Sequence, residues 1–282
     1  MRVFTLKKNL NEAVKTEKKS GKTVGFVPTM GALHDGHLAL VKKSLQENPV
    51  TVVSIFVNPT QFDNPEDLEK YPRFLERDLH LLEKTDKNLI IYLPLAEDLY
   101  EGSVRAKPYD HGGLDRVMEG AFRKGHFDGV ATVVHLLFNA VQPDKAYFGE
   151  KDFQQLRIIQ HMVDKEKLPI EIRPIPIYRE KDGLAMSSRN LRLTDEMRQA
   201  APFIYKSLMK AREMAEQGFT PSEIKQKIRE LFSRSPLELE YFEIADEKKL
   251  KPAGDFKENK HYRGFIAAYA GNIRLIDNMR LK

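Results

Sequence analysis

The sequence predicts an α/β protein: a parallel-sheet domain over residues 1–177 and a smaller α+β domain over 178–282. Three observations lead there. Short apolar, β-branched runs alternate with amphipathic stretches in the first part of the chain, the pattern of strands joined by crossover helices. After about Arg179 the order changes, and two charged amphipathic stretches precede three short apolar runs. That order reads as helices followed by an antiparallel sheet. The chain has 282 residues, 41% of them hydrophobic, enough for two domains that each bury a core.

The elements follow in order. Residues 23–27 form an apolar run that stops at Pro28, and Leu38, Val41 and Leu45 then recur at helical spacing within 36–47. Residues 50–57 are rich in valine and isoleucine and stop at Asn58-Pro59, a turn signal. Residues 89–93 read as a buried strand ending at Pro94, and 130–141 as an apolar helix. A strand over 146–148, a helix over 154–165 and a strand over 170–177 complete the first domain. Residues 181–190 read as a polar loop, 194–217 and 221–233 as helices, and 239–245, 265–270 and 274–278 as strands. No fixed-period repeat or low-complexity tract interrupts them.

Composition excludes several classes. Lys and Arg total 46 against 41 Asp and Glu, a net charge of +5. That is a weak field for so long a chain, and it does not by itself imply a nucleic-acid partner. An RNA-binding protein would interleave aromatics with clustered basic residues, whereas here the basic residues alternate with acidic ones. No apolar run approaches the roughly 20 residues of a membrane-spanning helix. The first residues carry no signal-peptide pattern, so the expectation is a cytoplasmic protein without a membrane partner. Cysteine is absent, which excludes disulfides, thiolate metal sites and cysteine nucleophiles.

The most informative segment is Pro28-Thr29-Met30-Gly31-Ala32-Leu33-His34-Asp35-Gly36-His37, between a strand and an amphipathic helix. In an open parallel sheet, ligands bind beyond the carboxyl ends of the strands. A helix start offers unpaired N–H groups and partial positive charge, a natural seat for phosphate. His34 and His37 are three apart and can project from one side of the first turn. Gly31 permits close approach of backbone to ligand, and Gly36 leaves room for a flat ring. Two imidazole donors could hydrogen-bond the charge that develops on a transferring phosphoryl group. The same residues also suit an ordinary surface turn. A shared metal ion is a third reading, although no third ligand stands out.

Three further segments fall at expected strand ends. Asn58 and Gln61 follow the second run, and an amide suits a substrate with hydroxyl and carboxylate groups. Asn-Pro is equally a common turn initiator. Gly149-Glu150-Lys151-Asp152 precedes a helix that carries Gln155 in its first turn. Lys151 could meet phosphate as a point charge. Asp152 could accept from ribose hydroxyls or simply cap the helix. Met186-Ser187-Ser188-Arg189 lies in the polar loop. Two hydroxyls and a guanidinium could close over polyphosphate, with Gly183 as a possible hinge, or the loop could be a plain linker. A fifth, Gly-rich segment, 118–127, reads as a rim, with Arg123 and His126 in packing roles.

Taken together and in this order, these segments closely resemble the pantoate–β-alanine ligase (pantothenate synthetase) family, part of the His-x-Gly-His nucleotidylyltransferase superfamily. The resemblance runs from Val27-Pro28-Thr29-Met30-Gly31 to Leu275-Ile276-Asp277-Asn278. It implies a Rossmann-like parallel-sheet domain with a smaller C-terminal α+β domain. It implies a two-step reaction: ATP and (R)-pantoate give pantoyl adenylate and pyrophosphate, and β-alanine then displaces AMP to give pantothenate. Carried over by residue, Met30, Gly31, Ala32, Leu33, His34, Asp35, Gly36 and His37 would bind ATP. His34 and His37 would lie at the phosphates, with His37 the proton donor. Gly149, Glu150, Lys151 and Asp152 would also bind ATP, as would Met186, Ser187, Ser188, Arg189 and the backbone of Tyr178. Lys151 and Arg189 would join the histidines as catalytic groups. Gln61, Gln155 and Asn58 would hold pantoate. The resemblance also implies Mg²⁺, mainly on phosphate oxygens with Asp78 as a protein ligand, and a homodimer. Lys124 stands where the family typically has proline, which removes a stiffening ring from the rim. The rival within the superfamily would attach AMP or CMP to a phosphate-bearing substrate; the amides at Gln61 and Gln155 favour a small carboxylate instead.

Overall fold

The computed structural model describes residues 1–62 and 65–282. The strands are β1 (Arg2–Phe4), β2 (Val24–Thr29), β3 (Val50–Ile55), β4 (Ile90–Tyr92), β5 (Lys145–Gly149), β6 (Glu171–Ile175), β7 (Glu238–Asp246), β8 (Tyr262–Ala270) and β9 (Ile273–Arg280). The helices are α1 (Lys7–Lys19), α2 (Asp35–Glu47), α3 (Pro65–Glu69), α4 (Leu75–Thr85), α5 (Ala96–Tyr100), α6 (Met118–Phe122), α7 (His126–Val141), α8 (Phe153–Lys165), α9 (Asp195–Ala200), α10 (Phe203–Glu216) and α11 (Pro221–Phe232). Two compact units result. The first comprises 1–112, 123–150 and 155–176, and the second 113–122, 151–154 and 177–282.

In the first unit six strands form a parallel sheet in the order β1-β4-β3-β2-β5-β6. Val24, Phe26, Val27, Val52, Val53, Ile90 and Ile91 are all fully buried. Consecutive apolar residues in a strand mean that both sheet faces are covered, which is why these runs read continuously rather than alternately. Helix α2 lies so close to β2 that a Cβ on Gly25 would stand 2.1 Å from Ser44 Oγ. The chain leaves β2 towards β3 on one side and later returns to β5 on the other. The order therefore reverses at β2 and β5, the position where open α/β sheets take their ligands.

The other end of α2 is tied to the sheet by charge. Glu47 pairs with Lys43 (2.9 Å) and Arg173 of β6 (2.8 Å), and it accepts from the fully buried Tyr147 hydroxyl of β5 at 2.9 Å. These partners, Lys43 foremost, lower the Glu47 carboxyl to about 2.

The second unit is a three-stranded antiparallel sheet, β7-β8-β9, packed with helices. Its core joins Ile204, Leu208 and Ala211 of α10, Ile224 and Ile228 of α11, and Ile244 and Ile266 of the sheet. Segment 113–122 enters this unit through Glu119, which pairs with Arg274 at 2.7 Å and accepts from the Tyr241 hydroxyl at 2.8 Å. Arg274 also engages Glu240. Gln154 ties the second inserted segment to the first: it donates to the Leu114 carbonyl at 2.7 Å and accepts from the Glu119 N–H at 3.0 Å.

Several elements differ from the sequence expectation. The single helix expected over 194–217 is two, α9 and α10, because Pro202 has no N–H to continue the ladder. The strand expected over 50–57 stops at Ile55, and the one over 170–177 stops at Ile175. Strand β1 and helices α1 and α4 have no counterpart in the sequence expectation.

Glu47→Gln should lower stability at neutral pH. The folded carboxyl titrates below its usual value, so its contribution is complete above about pH 4.5, declines as pH falls, and is gone below about pH 2. Urea unfolding midpoints of wild type and variant should differ at pH 7 and converge near pH 2.

Candidate active site

The site begins at the carboxyl end of β2. Gly31 and Ala32 both take left-handed conformations, with φ of 81° and 49°. This turns their neighbouring N–H groups inward, where Asp78 of α4 collects them. Asp78 Oδ2 accepts from the Ala32 N–H and Oδ1 from the Leu33 N–H, each at 2.8 Å. The Gly31 N–H reaches Thr29 Oγ1 at 3.2 Å, and that hydroxyl donates to the Ser54 carbonyl at 2.7 Å. Asp78 is 1% exposed, and burial pushes its carboxyl upward against the pull of the two N–H donors. The metal role expected for Asp78 gains no support from this geometry, because each of its oxygens faces a backbone donor. Among the described residues no group of three or more His, Cys, Asp or Glu could hold a metal ion.

The turn delivers the chain to α2 with His34 at the N-cap, in extended conformation. The rings of His34 and His37 lie 4.0 Å apart, inclined by 32°. The His34 N–H donates to His37 Nδ1 at 3.4 Å. An accepting Nδ1 leaves the neutral ring's proton on Nε2, so His37 carries a donor on its other edge. Both rings are half-buried, Asp35 is exposed, and Met30 and Gly36 are half-buried. The N–H groups of the first turn and the helix dipole add positive potential at the same place.

A second cluster follows β3. The short 3₁₀ turn Pro59–Gln61 is capped by Asn58. Asn58 is 1% exposed, and its amide hydrogens reach Gln61 Oε1 (3.1 Å) and the Gly129 carbonyl (3.2 Å). Its Oδ1 accepts from the Tyr100 and Thr60 hydroxyls. Its polar atoms thus already have protein partners, so Asn58 orients Gln61 rather than facing a ligand as expected. Gly129 makes this approach possible, since a Cβ there would lie 2.2 Å from the Thr60 carbonyl oxygen. Gln61 Nε2 points to Met30 Sδ at 3.0 Å, which links this cluster to the turn after β2. His126 Nδ1 bonds the Gln61 carbonyl at 2.7 Å, and Arg123 Nη2 donates to it at 3.4 Å. These two residues, expected only to pack, hold the backbone of Gln61. Nothing local in the sequence signals it, because the partners are far apart in the chain. Gln155 is half-buried in the first turn of α8, beyond the end of β5. Gly149 has open space where a side chain would stand, and Glu150 beside it is half-buried.

Within the second unit, the Lys151 ammonium lies 4.0 Å from Asp152 Oδ1 and its side chain is 20% exposed. Asp152 is exposed. The loop expected over 181–190 is more ordered than its composition suggests. Arg179 and Ala185 form an antiparallel bridge, and the Tyr178 carbonyl accepts from the Met186 N–H at 3.0 Å. Gly183 is no open hinge. A Cβ on it would stand 2.1 Å from the Tyr205 ring. Ser187 then caps a 3₁₀ helix, Ser188–Arg192, by accepting the Arg189 N–H at 3.2 Å. Ser188 is buried, while Met186, Ser187 and Arg189 are half-buried.

A six-stranded parallel sheet with paired imidazoles at a helix start beside its reversal point defines an α/β protein of the doubly wound, Rossmann-like class. The particular family is also clear. The pantoate-beta-alanine ligase family model matches residues 2–280, and the chain belongs to that family. It is 50% identical to the pantothenate synthetase of Christiangramia forsetii over 281 residues, covering 100% of this chain and 99% of the relative. The crystal structure of pantothenate synthetase from Thermus thermophilus superposes with a TM-score of 0.91 at 42% identity, covering 100% of this chain and 99% of that one. A pantoate-beta-alanine ligase from Francisella tularensis, complexed with beta-gamma ATP and beta-alanine, gives a TM-score of 0.79 at 34% identity over 100% of this chain and 98% of its own.

Asp78→Asn should cost about 1–3 kcal/mol of stability, the penalty for a buried donor left facing a donor. The amide can accept from only one of the two N–H groups with its oxygen. Urea denaturation of wild type and variant at pH 7 checks this value.

Proposed function

We propose that the protein joins (R)-pantoate to β-alanine at the expense of ATP, giving pantothenate, AMP and pyrophosphate. The observation that carries the reading is the imidazole pair at the start of α2, 4.0 Å between ring centres, with His37 Nδ1 occupied by a backbone N–H. Full-length membership of the ligase family supports it.

A carboxylate is a poor acyl donor because its oxygen is a poor leaving group. In the first step a pantoate carboxylate oxygen attacks the α-phosphorus of ATP. The bond from that phosphorus to the pyrophosphate oxygen breaks, leaving pantoyl adenylate. In the second step the free amine of β-alanine attacks the acyl carbon. The carbon–oxygen bond to AMP breaks, and the amine gives up one proton. Both steps are governed by positioning and by neutralising charge at phosphorus.

In the first unit, residues 30–37 receive the nucleotide, with His34 and His37 at the phosphates. His37 Nε2–H donates to the phosphoryl oxygens as charge builds, and His34 stacks beside it. Gln61 and Gln155 hold the pantoate carboxylate and hydroxyls. Asn58, Tyr100 and His126 keep Gln61 in place. Gly149 and Glu150 offer backbone to the nucleotide. In the second unit, Lys151 and Arg189 supply cationic contacts to phosphate, and Ser187 and Ser188 add hydroxyls. Asp152 accepts from the ribose, and the backbone at Tyr178 meets adenine. The described residues build no protein cage for a divalent ion, so Mg²⁺ belongs on the phosphate oxygens of ATP, where it would screen their charge. The reading extends to a homodimer in the cytoplasm. Among the described residues no helix is long and apolar enough to cross a membrane.

AMP release measured with ATP, Mg²⁺ and pantoate, with and without β-alanine, tests the reaction. Sustained AMP formation should require both acids, and turnover with either one alone would refute the reading. His37→Ala should slow adenylate formation by at least roughly 10²-fold, the usual effect of losing one donor to a developing oxyanion. Pre-steady-state pyrophosphate release measures that step, and a wild-type rate would remove His37 from the chemistry.

A further inference from the structure

Two adjacent residues of β9, Asp277 and Asn278, are buried to 4% and 2% exposure in a strand that ends only two residues later. A buried carboxylate and a buried amide side by side are costly unless each is fully engaged. Both are engaged, with different segments. Successive residues of a strand send their side chains to opposite faces.

Asp277 reaches the hairpin that precedes the Ser–Arg loop. Its two oxygens take both terminal nitrogens of Arg179, at 2.7 and 3.0 Å. The same guanidinium donates to the Gly183 carbonyl at 2.9 Å and stacks on Tyr205 at 4.4 Å. Arg179 is thus fixed on three sides, and the Arg179–Ala185 bridge transmits that fixation to the chain just before Met186. Asn278 reaches the other segment. Its Nδ2 donates to the Lys151 carbonyl at 2.8 Å, and its Oδ1 accepts from Arg263 at 2.6 Å. Arg263 in turn lies 4.0 Å over the ring of Phe153, two residues beyond Lys151. The turn from Lys151 to Phe153 is therefore held at both ends, while the Lys151 side chain stays 20% exposed.

We propose that Asp277 and Asn278 are positioning residues for nucleotide phosphate: Asn278 fixes the backbone from which Lys151 projects, and Asp277 fixes the hairpin that presents Ser187, Ser188 and Arg189. The proposal rests on the reading that Lys151 and this loop bind ATP. It gives one strand control over both cationic segments of the second unit, so the spacing of their charges is set by a single element.

The test is a pair of double-mutant cycles read in steady-state kinetics, with thermal melts confirming the fold of each variant. Asn278→Ala should raise KM for ATP about tenfold, the loss of roughly one hydrogen bond's worth of positioning, and leave KM for pantoate and β-alanine within about twofold. In a Lys151→Ala background the same change should have no further effect on KM for ATP, because the residue acts through the lysine. Asn278→Asp keeps the acceptor for Arg263 and loses the donor to Lys151. It should show the same pattern and carries the test if the alanine variant does not fold. Asp277→Asn should likewise raise KM for ATP in the wild type and have a clearly smaller effect in an Arg189→Ala background, where only Ser187 and Ser188 remain to be positioned. Full additivity in these cycles, or equal rises in all three KM values, would overturn the proposal. So would unchanged ATP kinetics for the position-278 variants while Lys151→Ala is impaired. If Lys151→Ala itself keeps a wild-type KM for ATP, the phosphate-lysine reading fails first and the proposal falls with it.

Discussion

One buried carboxylate sets the aim of the turn between β2 and α2. Asp78 holds the N–H groups of Ala32 and Leu33, and so holds a left-handed pair of residues that would otherwise be strained. Because Ala32 carries a Cβ, its positive φ needs such support more than Gly31 does. The start of α2 and the facing of both imidazoles follow from that turn. A carboxylate serves better here than an amide, since it accepts twice with equal geometry. The two bonds offset only part of its burial cost, so its titration is still shifted upward.

The amide side of the site is built on a different principle. Gln61 is held through its side chain by Asn58 and through its carbonyl by His126. Asn58 is held in turn by the hydroxyls of Tyr100 and Thr60. Each polar atom restricts the next, so the Gln61 amide has little rotamer freedom left. This is preorganisation by a chain of neutral hydrogen bonds, with packing at Gly129 closing the gap beneath it.

Much of this was legible in the sequence, for physical reasons that can be named. The central strands were visible because burial on both faces makes their residues uniformly apolar. The closeness of the two imidazoles and the place of Gln61 just past β3 were readable, because helical spacing and the end of an apolar run fix them. Strand β1 escaped because it is three residues long and mostly exposed at the sheet edge. Helix α1 escaped because only Leu10 and Val14 of its thirteen residues are buried, leaving a largely charged surface. The roles of Asp78, Asn58 and His126 were not readable, since each depends on a partner brought close only by the tertiary fold. Asp78 lies 46 residues from Ala32, and His126 lies 65 from Gln61. The break at Pro202 was missed, because the amphipathic spacing on either side of it reads as one helix.

The second unit draws on three separate stretches of the chain, and its interior ion pairing depends on more than the last of them. Glu119 comes from the segment 113–122, yet it neutralises Arg274 and receives the Tyr241 hydroxyl deep among the C-terminal strands. A gene fragment beginning at residue 177 would therefore encode most of that body while omitting a counter-ion to its arginine and the acceptor for its tyrosine. Such a piece is not a transferable module. Recombination that shuffled the C-terminal region alone into another protein would separate groups that share one interior, so the two units are constrained to be inherited together.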